Sequence, residues 1–343
     1  MATLKQIAKN LDLSVMAISK ALRDAPDIGA STKERVRKEA DRVGYVPNYN
    51  ARSLRAGRTF LLGALVQEIN EPFAAGVLRG IEDSAAEEGF QLLVSASRQN
   101  EDREVRLLQR MFERKVEAVF IQTLVRLQHR TPILEAARKY KTPLIFLDHY
   151  PADAKQFEWV SWVIADCYKA GRLAASHLLE LGHKDILYFS GPPTASSTAD
   201  HMSGFKKELI EAGFGYDDEK IFLSGLDVEG GRETMMRALA EKMKFTAIVC
   251  AVDAVAIGAI EILRSQGYRV PEDVSVVGFG DGILAAHGNV PLTTVSRPQV
   301  ELGSTAFRHW IRCKSGKEKW EPKVIPVELS VRDSTGPCPS PKG

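Results

Sequence analysis

The chain has no long apolar run. Nothing in it approaches the ~20 consecutive apolar positions that cross a bilayer, and its opening MATLKQIAKN holds no secretory core. The expectation is a cytosolic protein with no membrane partner. Cysteine is scarce: Cys167, Cys250, Cys313 and Cys338 are scattered, with no pair at metal-ligand spacing. That pattern speaks against a zinc site and for small apolar packing residues. Catalytic signatures are missing too. There is no P-loop, no H-E-x-x-H and no G-x-S-x-G, and GFGDGI places Ile283 where a dinucleotide fingerprint needs its third glycine. These absences point away from an enzyme, and no cofactor is expected.

What is present divides into two parts. The 343 residues carry a net charge of only +2, with 44% hydrophobic residues. Residues 1–58, however, hold 12 Lys+Arg against 6 Asp+Glu, while the remainder holds 34 against 38. The basic head is the part that wants a polyanion. Thr3 with Gln6 reads as a capping box, and Leu4, Ile7, Ala8 and Leu11 share one helical face. Asp12 ends that helix, and Ser14 caps a second one that turns Ile18, Ala21 and Leu22 inward. Ser31 and Glu34 read as the capping box of a third helix, which buries Val36, Ala40 and Val43 and stops at Gly44. Two short helices across so tight a turn form a helix-turn-helix. The second helix then shows Val15 and Met16, with Ser19 and Lys20 one turn on. Exposed aliphatics there suit thymine methyl groups, and Lys20 can donate to guanine O6 and N7. A small helical protein-interaction module is the other reading of this region.

Between head and body lies PNYNARSLRAGRT, residues 47–59. Asn48 can cap a helix and Gly57 can end one, but two turns cannot hold themselves together in water. The stretch is expected to fold only against a partner. Leu54 among Arg52, Arg55 and Arg58 fits a minor groove, with arginines on phosphates and leucine between base steps. A flexible linker fits the same composition. Beyond it, apolar strand patterns alternate with helical ones: LLGALV, FQLLVSA, EAVFIQ and PLIFLD, and then, from WVSWVIA, a second series through ILYFSG, IFLSG, TAIVC and VSVVGF. Such alternation predicts parallel sheets covered on both faces, in two doubly wound subdomains.

The segments TLKQIAKNLDLSVMAISKAL, STKERVRKEADRVGYVPN and ARSLRAGRT resemble the head and hinge of the LacI/GalR family of bacterial transcription regulators. LGHKDILYFSGP, VPEDVSVVGF and PLTTVSRP resemble that family's effector-binding core. The resemblance implies an α/β, periplasmic-binding-protein-like body behind a helix-turn-helix head. It also implies a homodimer on a near-palindromic double-stranded DNA operator, controlled by a small-molecule effector. It places base readers at Val15, Met16 and Lys20, phosphate contacts at Ser14, Ser19 and Asn48, and the minor-groove lever at Leu54. Arg23, Ala51 and Arg55 complete the expected DNA contacts. Two positions depart from the family pattern: Ala17 replaces a usual threonine, and Arg23 a common asparagine. The implied division is head 1–46, hinge 47–59, a first subdomain of 60–161 with 292–321, a second of 162–291 with 322–331, and a disordered tail 332–343. The helix from 299 to 314 is expected to return to the first subdomain.

Ligands of open α/β sheets sit beyond the carboxyl ends of the strands, and two facing sheets form a cleft there. Reading off strand ends gives Phe73, Asp148, His149, His201, Val252, Asp253, Gly280 and Asp281, with Arg297 at the crossover and Trp162 nearby. Asp253 opens a helix, so capping is its expected duty, whereas Asp148 is expected to meet ligand. His201, Val252 and Gly280 stand where the family has arginine, asparagine and an acid. A sugar wants bidentate Asp, Asn and Arg partners, so the expected effector is not an ordinary hexose. A pocket that no longer takes any effector is the alternative. A two-lobed small-molecule receptor would share the body without the basic head.

Overall fold

The computed structural model describes residues 2–46, 57–124 and 132–340. The chain divides into two compact units, Met1–Thr59 and Phe60–Gly343. Among its described residues the first contains three helices, α1 (Leu4–Leu11), α2 (Val15–Leu22) and α3 (Ala30–Arg42). Thr3 Oγ1 accepts from Gln6 N at 3.3 Å and Ser14 Oγ from Ala17 N at 3.1 Å, so both expected caps form. Asp12 takes the left-handed conformation that turns α1 into α2. The third cap differs: α3 begins at Ala30 behind Gly29, with no side-chain cap. Ser31 is therefore already inside the helix, and Glu34 pairs with Lys38 at 2.8 Å instead. Ile7, Ile18, Ala21 and Val36 are wholly buried and hold the three helices together.

The second unit is two lobes. The first contributes β1 (Leu61–Val66), α4 (Pro72–Glu87), β2 (Gln91–Ala96), α5 (Glu101–Glu113), β3 (Val119–Ile121), α6 (Pro132–Tyr140), β4 (Leu144–Leu147) and β5 (Val160–Ala165). The second contributes α7 (Cys167–Glu180), β6 (Ile186–Ser190), α8 (Ser196–Glu211), β7 (Ile221–Leu223), α9 (Val228–Ala240), β8 (Ala247–Cys250), α10 (Asp253–Ser265), β9 (Ser275–Gly280) and α11 (Ile283–His287). The chain closes with β10 (Thr293–Ser296), α12 (Gln299–Lys314), β11 (Lys323–Ile325) and β12 (Leu329–Ser330). The sheets run β11-β5-β4-β3-β1-β2 and β12-β10-β9-β8-β6-β7, parallel throughout except for β12 against β10.

Three expected assignments fail. Trp159–Ala165 does not open the second sheet: β5 pairs with β4 and β11, so the expected break at 161/162 falls after Ala165. Thr293–Ser296, expected in the first subdomain, pairs with β9 in the second, while Lys323–Ile325 does the reverse. A run such as β5, buried on both faces, carries no mark of which sheet it joins. The tail is the third. Residues 332–340 are not a loose end, because Ser334 is fully buried and the Cys338 N–H donates to Leu181 O at 2.8 Å. Proline and glycine there prevent a regular element without preventing hydrogen bonds. The helix from Gln299 does return to the first lobe: a Cβ on Gly303 would lie 2.0 Å from Val77 O in α4, and one on Gly80 2.0 Å from Val300 O.

The same reciprocal contact joins α7 to α8, where a Cβ on Gly171 would fall 1.9 Å from His201 O and one on Gly204 1.9 Å from Tyr168 O. Glycine in a helix interior costs about 1 kcal/mol, and here it permits backbone-to-backbone contact that fixes the height of His201.

The tail makes a direct test. Ser334 Oγ accepts from Thr293 N at 2.8 Å and donates to Val276 O at 2.6 Å. Ser334→Ala is expected to cost about 1–3 kcal/mol in urea unfolding, because it leaves two buried backbone groups unpaired; no change would mean the tail does not close this sheet.

Candidate functional site

On the head, Val15 is 40% and Met16 69% exposed on the first turn of α2. Ser14 spends its hydroxyl on capping, and Arg23 Nε donates to Ser19 O at 3.0 Å. Lys20 is held by Asp27 in an exposed ion pair. Asn48, Ala51, Leu54 and Arg55 lie outside the described residues. The sequence reading missed Asp27, whose carboxyl is held below its ordinary range chiefly by the hydrogen bond from Lys20.

Within the body, Arg297 follows β10 and precedes α12, so it stands where the chain passes from second lobe to first. Its N–H donates to Gly280 O at 3.2 Å. Its guanidinium lies over the Phe73 ring of the first lobe, 3.7 Å from the centroid, and 5.1 Å from the Phe279 centroid of the second. Nη2 is bound to Asp148 Oδ1. Phe73 reaches this point because Glu71 caps α4, accepting from Phe73 N and Ala74 N. Asp148 sits at the end of β4 in left-handed backbone, φ 71°. Its burial opposes ionisation, but the Arg297 charge and His149 outweigh it and hold the carboxyl well below the usual range. His149 Nδ1 lies 3.9 Å from Asp148 Oδ2.

His201 enters from α8. Its Nδ1 is 2.5 Å from the Tyr188 hydroxyl, and its ring lies 4.9 Å from that of Phe279. Both are buried. The structure thus gathers Phe73, Asp148, His149, His201 and Arg297 into one cluster between the lobes. Beside Arg297 a cavity of about 550 Å³ opens, bounded by Asp281, Ser296 and the start of α12 with Gln299, Val300, Glu301 and Ser304; Phe73, Asp148, His149 and His201 do not line it.

The remaining expected residues do other work. Asp253 does not cap α10. Its carboxylate accepts from Thr294 Oγ1 at 2.6 Å and Gly282 N at 2.9 Å, tying β10 to the loop after β9. Val252 packs against the second-lobe core. Gly280 has φ 144°, and a Cβ there would meet Asp253 Oδ2 at 3.0 Å, so the missing acid reflects backbone geometry. Asp281 is bound by Arg332 Nη2 at 2.5 Å and Ser330 Oγ at 2.9 Å. Trp162 stacks on Tyr150 at 4.1 Å, on the opposite face of the first sheet from Phe73. Sequence reading missed Phe279 and Tyr188. A tyrosine inside the all-buried strand ILYFS was the available signal, since a buried phenol needs a partner.

Two measurements follow. Asp27→Asn releases Lys20, so affinity for random duplex DNA is expected to rise several-fold at low salt, with a steeper salt dependence, in fluorescence anisotropy titrations. The second concerns pH. Burial, reinforced by the Arg297 charge, pushes His201 down to about 3. Unfolded histidine titrates near 6.5, so from about 6.5 down to about 3 the unfolded chain binds a proton that the folded lobe refuses. The stability present above pH 6.5 is lost as pH falls, by ~2 kcal/mol at pH 5. His201→Gln is expected to flatten that decline in unfolding curves between pH 7 and 5; an unaltered slope would exclude His201 as its source.

The description "Periplasmic binding protein-like domain" matches residues 175–335. The chain is similar to the HTH-type transcriptional regulator RegA of Clostridium saccharobutylicum, 31% identical over 98% of this chain and 100% of the relative. A solved transcriptional regulator CelR–cellobiose complex is 27% identical with a TM-score of 0.74, covering 97% of this chain and 100% of the other. The lac repressor dimer bound to operator and the anti-inducer ONPF has the same fold, with a TM-score of 0.83 at 22% identity, covering 98% and 99%.

Proposed function

The chain belongs to the LacI/GalR family of bacterial transcription regulators, and from that premise we propose that it is a cytosolic repressor. It binds a near-palindromic operator as a homodimer, and a small molecule in the cleft around Arg297 sets how tightly. The observation that carries the DNA-binding half is the pair of exposed aliphatics, Val15 and Met16, on the first turn of α2 in a basic three-helix head. A major groove offers thymine methyls to both, while Lys20, once exchanged from Asp27, donates to a guanine edge. Ser14, Ser19, Arg23 and Asn48 hold phosphates. One such head supplies modest affinity, and two heads on one duplex supply the rest.

In this reading the hinge carries the switch. Residues 47–59, with Leu54 as wedge and Ala51 and Arg55 beside it, gain helical structure when two copies share a minor groove. Effector binding shifts the lobes and so the spacing of the hinges, which biases an equilibrium between bound and free states. Phe73, Asp148, His149, His201 and Arg297 are the effector residues. A second reading, regulation without an effector, draws on the Arg297–Asp148 pair, by which the chain's own side chains already satisfy part of the cleft.

Selection of bound fragments from random duplexes is expected to return one near-palindromic sequence. On that operator, Leu54→Ala is expected to weaken specific binding about a hundredfold while leaving random-sequence binding within a few-fold, since a base-step wedge contributes only where the DNA is bent to receive it. Equal losses on both duplexes would remove the wedge, and no selected sequence would remove the regulator reading.

A further inference from the structure

Two bonds tie the end of β4 across to the second lobe. Asp148 Oδ1 accepts from Nη2 of Arg297, whose own backbone is held to Gly280 O, and the Tyr150 N–H donates to Ser196 Oγ at the start of α8, 3.3 Å away. The turn between them is anchored in the first lobe, because the Tyr150 ring stacks on Trp162 of β5 with centroids 4.1 Å apart. It is also strained. The His149 N–H donates to Leu147 O at 2.9 Å across Asp148, whose φ of 71° makes this a γ-turn of the hand that side chains rarely adopt. Backbone of that kind persists where its surroundings hold it, and here the holding groups belong to the opposite lobe.

Charge decides what closure requires. The Arg297 guanidinium lies against the rings of Phe73 and Phe279, and among the described residues Asp148 is the one acid within ion-pair distance of it. The other carboxylates of the region do not substitute. Asp253 accepts from Thr294 and Gly282, Asp281 is bound by Arg332 and Ser330, the charges that Asp200 senses are Asp166 and Lys155, and Glu301 is exposed on α12. Gln122 Oε1, at the end of β3, is buried without a hydrogen-bond partner but carries no charge. A buried pair gains little over the same two ions in water, whereas a buried ion without its partner is strongly unfavourable. Lobes joined in this way can open, and cannot stay shut once either charge is removed.

We infer that the turn Asp148–Tyr150 is a charge latch on the cleft: the lobes close when Asp148 meets Arg297 and part when either is drawn away. The closed fraction is then a property of the chain itself, and anything entering the cleft acts by competing for one member of the pair. The latch stands on these contacts; its use in setting operator affinity rests on the regulator reading. His149, with Nδ1 3.9 Å from Asp148 Oδ2, travels with the turn and stays beside the carboxylate when the guanidinium leaves.

The test is hydrogen exchange on the full-length protein without DNA. Asp148→Asn, which strands the guanidinium, is expected to speed exchange in residues 147–151 and 195–202 by about tenfold or more, with β1 and β8 changing far less. Arg297→Gln is expected to do the same from the other side. The double variant Asp148→Asn with Arg297→Gln buries no charge and is expected to recover most of the lost protection. Unchanged protection in both single variants, or a double variant as exposed as the singles, overturns the latch. If a single variant does not fold, the unaltered chain in sub-denaturing urea decides: the amides of the turn and of the first turn of α8 are expected to open together with one urea slope, shallower than that of β1 and β8, and two different slopes overturn it. Titration of the selected operator with no ligand added separates this from the wider reading. Single variants that open yet bind operator unchanged keep the latch and remove lobe closure from control of DNA binding.

Discussion

A single guanidinium, layered between a phenyl ring of one lobe and a phenyl ring of the other and answered by one carboxylate, is the contact on which the body's geometry turns. Removing a charge from water is costly, and a buried pair seldom repays that cost as extra stability. Its effect is on arrangement. Arg297 is fixed to the second lobe by its own backbone and to the first by Asp148 and Phe73, so the lobes cannot separate without exposing or stranding a charge. The apolar cluster that runs from Leu62 and Phe73 to Phe279 and Val295 supplies attraction without direction; the ion pair supplies the register.

The order of strands and helices was legible because apolar runs of four to six residues alternated with helical stretches, and periodicity reports burial directly. The head was legible for the same reason, down to Thr3 and Ser14 as caps. Sheet membership was not. β5, β10 and β11 change places relative to expectation because the chain crosses between lobes more than once, and a strand buried on both faces looks alike in either sheet. The tail was misjudged because Ser334 and Arg332 act through long-range hydrogen bonds, which leave no periodic trace.

The cleft was legible as a place and less so as chemistry. Strand ends led to Asp148 and His149, and the crossover to Arg297, and the three stand beside one another, since both rules depend on topology. It could not say that Asp253 and Asp281 are turned inward to hold β10 and the tail, or that Gly280 is small because Asp253 presses on it. Nor could it find Phe279 and Tyr188, whose roles depend on which neighbour stands 5 Å away.

His201 rides on a helix whose backbone touches that of α7 without any side chain between them. Such a joint has no slack. The imidazole cannot be re-aimed by sliding one helix past the other; α7 and α8 must travel as a single slab. The cleft can therefore acquire a different taste through exchange of the residue at 201 alone, while its frame stays as stiff as before.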